Sequence, residues 1–122
     1  MKDRLGITKD TERFLIINPP GNFMYKVGEL DEGVKFLGFD DNAIDFCFSF
    51  LTKRNELEEL FPILKYKIKR TGIIWIAFPK DDSEIETNLS EDLIRQTGIQ
   101  LGMNDVRMLS YDRKYVAIKF IW

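Results

Sequence analysis

The run Gly72-Ile73-Ile74-Trp75-Ile76-Ala77-Phe78 is nearly all apolar up to the closing Pro79-Lys80. A short apolar run that does not alternate reads as a strand buried on both faces. Such a strand is central in its sheet, and its two faces call for covering layers above and below. Similar runs stand elsewhere. Arg13-Phe14-Leu15-Ile16-Ile17-Asn18 is stopped by Pro19-Pro20-Gly21, and Ala43–Phe50 is partly alternating. Both read as strands, and Val34–Leu37 as a further short one.

Helical spacing lies between these runs. Leu57, Leu60, Phe61, Leu64 and Ile68 fall on one helical face. Thr52 is placed to cap that helix, and Pro62 to kink or restart it. Lys65, Lys67, Lys69 and Arg70 crowd its expected C-terminal end, where cations suit the helix dipole. Asn22–Leu30 reads as a short helix. Ser90 is a good cap for another, with Glu91 and Asp92 in its first turn and Leu89 and Ile94 set for a hydrophobic staple. Gly102 ends it. Val106–Ser110 and Tyr115–Ile121 flank a turn and read as a β-hairpin.

Strands alternating with helices predict an α/β, three-layer, Rossmann-like fold. Its sheet is mostly parallel, of about five to six strands, closed by a C-terminal antiparallel hairpin. The 122 residues make one domain's worth, and no repeat or linker divides them. One step is awkward: parallel neighbours need a long crossover, yet little chain separates Leu37 from the next strand. Either the Val34 strand is short and its exit loop runs back across the sheet, the favoured reading, or the two segments pair antiparallel.

Absences narrow the chemistry. The chain has no histidine, which removes Ser-His-Asp and Cys-His catalysis and the commonest transition-metal ligand. Its one cysteine, Cys47, lies in an apolar stretch and reads as a buried hydrophobe. The net charge of −2 gives no general footprint for nucleic acid or an anionic membrane. Met1-Lys2-Asp3-Arg4 is not followed by the apolar stretch of a secretory signal. A soluble cytoplasmic protein is therefore expected.

Two resemblances add to this. Arg70-Thr71-Gly72-Ile73-Ile74-Trp75-Ile76, after a long helix, resembles the helix-to-strand step in the second half of class I S-adenosylmethionine-dependent methyltransferases. More of the chain resembles a family of small bacterial proteins of unknown function with a methyltransferase-like core. The matching stretches are Leu5-Gly6-Ile7, Val34 to Leu57, Trp75-Ile76-Ala77-Phe78-Pro79-Lys80, Thr87-Asn88-Leu89-Ser90-Glu91-Asp92, and the end from Gly102 onward. The resemblance implies a fold and supplies no activity.

In open α/β sheets, ligands bind beyond the carboxyl ends of the strands. That edge is expected to carry Asn18 to Asn22, Leu51 to Arg54, and Pro79 to Lys80. Asn18-Pro19-Pro20-Gly21-Asn22 stands where a methyltransferase has its glycine-rich loop. One glycine survives there, the acid is absent, and two prolines remove N–H donors. The expectation is therefore no cofactor, with S-adenosylmethionine as the alternative.

Asp40 and Asp41 fall about 20 residues beyond the loop, the spacing of a ribose-binding acid in dinucleotide folds, or else form a solvated turn. Thr52-Lys53-Arg54 opens a helix, where cations oppose the dipole and a bound anion would relieve the conflict. With Lys80 they make a candidate anion pocket, bordered by Asn18 and Gly21; the alternative is exposed cations paired with nearby acids. Asp81, Asp82, Glu84 and Glu86 lack the periodicity of a calcium loop and read as solvated.

Three functions fit. The favoured one is a non-catalytic, methyltransferase-like binding or regulatory domain with a protein partner or small regulator. The second is a module for an anionic or nucleotide-like ligand at the strand edge. The third is a minimal methyltransferase.

Overall fold

A computed structural model describes residues 1–122. The apolar run from Gly72 forms most of β4 (Ile68–Pro79), flanked on both sides as its composition requires. The other strands are β1 (Arg13–Ile17), β2 (Lys35–Phe36), β3 (Ile44–Phe50), β5 (Asn104–Ser110) and β6 (Tyr115–Ile121). They form a single sheet in the order β2-β1-β3-β4-β6-β5. β1 to β4 run parallel, and β6 pairs antiparallel with β4 and with β5. This is the expected mixed sheet closed by a hairpin.

Side chains alternate between two cores. One face buries Leu15, Cys47, Ile74, Ile76, Ile118 and Phe120. It is covered by α3 (Arg54–Lys67), through Leu57, Phe61 and Leu64, and by α4 (Glu91–Gln100), through Ile94. The other buries Phe14, Phe46, Phe48, Phe50, Trp75 and Ala77. It is covered by α1 (Lys2–Leu5), through Leu5, and by α2 (Phe23–Val27), through Phe23 and Val27. β4 contributes alternately to both, which is why its sequence does not alternate.

Local expectations hold in part. Ser90 caps α4, its hydroxyl accepting from Leu93 N at 3.2 Å. Leu89 and Ile94 are both buried in the same core, as a staple requires. The cap of α3 differs. Its N-cap is Lys53, and Thr52 lies one residue outside. Glu56 takes the capping role, accepting from the backbone N–H of Thr52 at 3.1 Å and of Lys53 at 2.9 Å. A carboxylate in this first turn also suits the positive helix end.

α3 is one helix through Pro62 and stops at Lys67, earlier than expected. Ile68 instead pairs with Ile44, and the register slips before Phe46 meets Ile73. Gly72 sits at that slip. A Cβ there would lie 2.9 Å from Lys69 O and 3.0 Å from Ile44 O, so only glycine lets the backbones approach. Lys69 thus leaves the helix and bonds Asp45 at 2.8 Å. β2 is short, parallel to β1, and its exit loop returns across the sheet to β3. The favoured reading of the Val34 segment is the observed one.

Candidate functional site

The carboxyl ends of β1, β3 and β4 define an upper edge of the sheet. Because β6 runs antiparallel to β4, with Tyr115 opposite Pro79, the β5–β6 turn also lies at this edge. The chain order reverses about β1, which has β2 on one side and β3 on the other. That is a topological switch point, where ligands bind in such sheets.

A groove of about 530 Å³ opens at this edge. One wall is Pro20, Gly21, Asn22 and Lys26, from the β1–α2 turn and α2. The other is Asp112, Arg113, Lys114 and Tyr115 of the hairpin turn, with Ile85 between. Its size falls within the range of small-molecule sites. Asn18, just before this wall, holds a left-handed backbone with φ 54°. Asparagine adopts this conformation more readily than most residues, because its short polar side chain can bond the local backbone. Gly21 faces open space, with nothing within 4 Å of where a Cβ would stand.

The hairpin wall is built by Asp112. Its carboxylate accepts from the backbone N–H of Lys114 at 2.8 Å and of Tyr115 at 2.9 Å, closing the turn on itself. Behind the groove, Tyr111 is buried against Phe23 and Phe50, and its hydroxyl meets Asn22 Oδ1 at 3.4 Å. Burial, with the Asp112 charge adding, pushes the Tyr111 phenol up to about 12. Burial and Asp112 raise Tyr115 as well. Both phenols are neutral near pH 7, so they offer hydrogen bonds and no proton-transfer base.

The sequence-predicted residues are dispersed. Thr52 and Lys53 line a separate groove with Glu86, Thr87 and Asn88. Arg54 lines another, beside α4. Their backbone N–H donors already have partners. Glu56 takes the N–H groups of Thr52 and Lys53, and Asn88 Oδ1 accepts from Arg54 N at 2.6 Å. The Arg54 guanidinium pairs with Glu58 at 2.6 Å. Lys80 turns the other way. Its ammonium donates to Ser110 Oγ at 2.5 Å, in a groove shared with Asp81, Asp82, Glu91 and Asp92. Carboxylates there repel an anion. Thr52, Lys53, Arg54 and Lys80 therefore do not converge on one pocket, whereas Gly21 does line the upper-edge groove and Asn18 precedes it.

Asp40 and Asp41 lie at the opposite edge. Asp41 O accepts from Lys67 Nζ at 3.1 Å, at the lower end of α3. The cause is β2, which pairs only with Arg13 and Phe14 at the start of β1. The acids of the Asp81–Glu86 loop are not gathered into a group able to hold a metal ion. Cys47 is buried, and desolvation pushes its thiol well above the ordinary range. Sequence reasoning missed Lys26, Arg113, Lys114 and Tyr115. The hairpin turn reaches the upper edge because its second strand, β6, is the one that pairs antiparallel with β4, a pairing that no local signal in the sequence states.

No protein-family model matches the chain. No curated protein is similar to it in sequence. Solved structures are similar in fold. An S-adenosylmethionine-dependent methyltransferase from Aquifex aeolicus superposes with a TM-score of 0.64 at 13% identity, over 97% of this chain and 87% of its own. A TehB-like S-adenosylmethionine-dependent methyltransferase from Corynebacterium glutamicum gives 0.63 at 12%, over 98% and 86%. LepI in complex with S-adenosylmethionine gives 0.57 at 12%, over 98% of this chain and 46% of its own. No helix is long and apolar enough to cross a membrane. The architecture, six strands with two antiparallel at the C-terminal end, is the Rossmann-like fold of class I S-adenosylmethionine-dependent methyltransferases.

Proposed function

We propose that this chain is a non-catalytic, methyltransferase-like binding domain whose ligand seat is the upper-edge groove. The observation that carries the reading is the wall made by Pro20, Gly21 and Asn22. A cofactor loop at this place works through backbone N–H groups held close to the ligand. Here Pro19 and Pro20 have no N–H to give. Gly21 makes no close approach that a side chain would prevent. No carboxylate reaches the upper edge from β2, because Asp41 is held at the lower one. These residues do not fit S-adenosylmethionine as the fold leads one to expect. The groove's remaining groups, amide, phenol, ammonium and guanidinium, suit binding.

The test is calorimetric titration of the whole chain with S-adenosylmethionine and S-adenosylhomocysteine, alongside a search for S-adenosylhomocysteine formation. The expected result is no methyl transfer and no binding of either below millimolar concentration. Tight S-adenosylmethionine binding with turnover would overturn the proposal in favour of a minimal methyltransferase. Gly21→Trp, which has open space to enter, serves as the groove-blocking control.

A further inference from the structure

We infer that the upper-edge groove takes a small phosphorylated ligand, gripped by Lys26, Arg113 and Lys114; this rests on the groove being the ligand seat. The chain carries a net charge of −2, yet this groove presents three cations against one carboxylate. Asp112 Oδ1 accepts both N–H groups of its own turn, at 2.8 and 2.9 Å, and its single charge leaves the groove with an excess of two positive charges, three against one. The ion pairs of the structure join Arg54 with Glu58, Lys69 with Asp45, and Arg95 with Glu91 and Asp105. None involves Lys26, Arg113 or Lys114.

Lys26 is half-buried, its ammonium 5.9 Å from the centre of the Tyr111 ring. It is held by an aromatic face and leaves its donors free. Gathered like charges repel one another unless an anion comes between them. The acidic loop does not supply it. Ile85 is the loop residue that lines this groove, and Glu86 lines the neighbouring one with Thr52 and Lys53. The guanidinium fork and ammonium groups match phosphate oxygens, which accept charge-assisted hydrogen bonds. Pro20, Ile85 and the Tyr115 ring give the same groove an apolar side, against which the non-phosphate part of a ligand can lie.

Calorimetric titration of the whole chain with ATP, inorganic pyrophosphate and adenosine tests this. ATP and pyrophosphate are expected to bind, with adenosine at least about tenfold weaker than ATP. The paired substitution Lys26→Ala with Arg113→Ala, its fold checked by circular dichroism, is expected to weaken ATP by about tenfold or more. ATP exceeding pyrophosphate marks a nucleotide-like ligand and equality marks a bare phosphate group; either supports the inference. ATP binding untouched by the paired substitution overturns it, as does the absence of binding by all three probes. Adenosine binding as tightly as ATP, and blocked by Gly21→Trp, overturns the phosphate grip while leaving the binding-domain reading intact.

Discussion

Gly98→Ala should destabilise the protein, although the substitution is usually favourable inside a helix. Replacing a helical glycine with alanine typically gains about 1 kcal/mol. Gly98 lies in α4 and faces Phe120 of β6. A Cβ there would stand 2.2 Å from Phe120 Cε1, 2.7 Å from Cδ1 and 3.0 Å from Cζ. Ordinary carbon contacts are about 3.5–4.0 Å, so helix or ring must move by more than about 1 Å. The ring has no room. Phe120 is fully buried, packs edge-on against Phe61 at 4.9 Å, and its backbone pairs with both Ile74 and Asp105. Overpacking costs about 1–3 kcal/mol. A clash this short belongs at the top of that range, which leaves a net loss of about 2 kcal/mol after the helix gain. For a chain of this size the loss corresponds to a fall in Tm of roughly 6–10 °C. Urea unfolding followed by circular dichroism reads it as a lower midpoint at unchanged slope. Phe120→Leu should relieve part of the clash, so the double variant should lose less than the sum of the singles. A Gly98→Ala protein as stable as the parent would refute the packing argument.

Three further outcomes follow from single contacts. Trp75→Phe removes the bond from the buried indole N–H to Leu5 O at 2.8 Å; stability should fall by about 1–3 kcal/mol and amide exchange near α1 should quicken, and unchanged exchange there would show that the bond does not tether α1. Cys47 should be inert to a thiol reagent in the folded protein and react once the chain is unfolded, because burial disfavours its thiolate; fast native labelling would contradict the buried placement. Desolvation pushes the Asp45 carboxyl up, but bonds from Lys69, Arg13 N and Glu12 N and the Lys69 charge outweigh it and leave the pKa lowered from 3.8. The stability it contributes is then present above pH 3.8 and lost as pH falls through the lowered value, so the gap between parent and Asp45→Asn should be wide near neutrality and close in strong acid. A gap independent of pH would remove the assigned interaction.

What the sequence discloses here depends on how local the deciding force is. β4 is legible because burial on both faces writes itself into consecutive residues. The Ser90 cap and its staple are legible because every participant lies within one turn. The end of α3 is not, because Ile68 satisfies the helical spacing of Leu57, Phe61 and Leu64 and is diverted only by pairing with Ile44, far away in the chain. α1 is invisible for a similar reason: its four residues are held by Leu5, which a distant tryptophan bonds. The site divides the same way. The loop after β1 can be inspected residue by residue, and its missing donors noted. The opposing wall lies some ninety residues on in the chain, and only the direction of β6 brings it into place.

That second wall changes what recognition at this edge depends on. Beyond Phe14, β1 has no strand neighbour on its outer side, because β2 is two residues long. The exit of β2 therefore delivers Asp40 and Asp41 to the lower edge, while Pro19 and Pro20 strip donors from the upper one. Both departures weaken a grip that would come from the first half of the sheet. The cations Arg113 and Lys114 on the hairpin, with Lys26, offer a grip from the second half. The two kinds of grip differ physically. Backbone donors are fixed dipoles in a buried turn, whereas these cations sit on exposed or half-buried side chains and act through solvent-screened charge. Raising the salt from about 0.1 M to 1 M shortens the screening length from about 10 Å to about 3 Å. ATP affinity measured across that range should fall steeply, and the fall should flatten in the protein carrying Lys26→Ala with Arg113→Ala. An affinity indifferent to salt would place the ligand on backbone donors after all, and return the loop after β1 to the centre of the site.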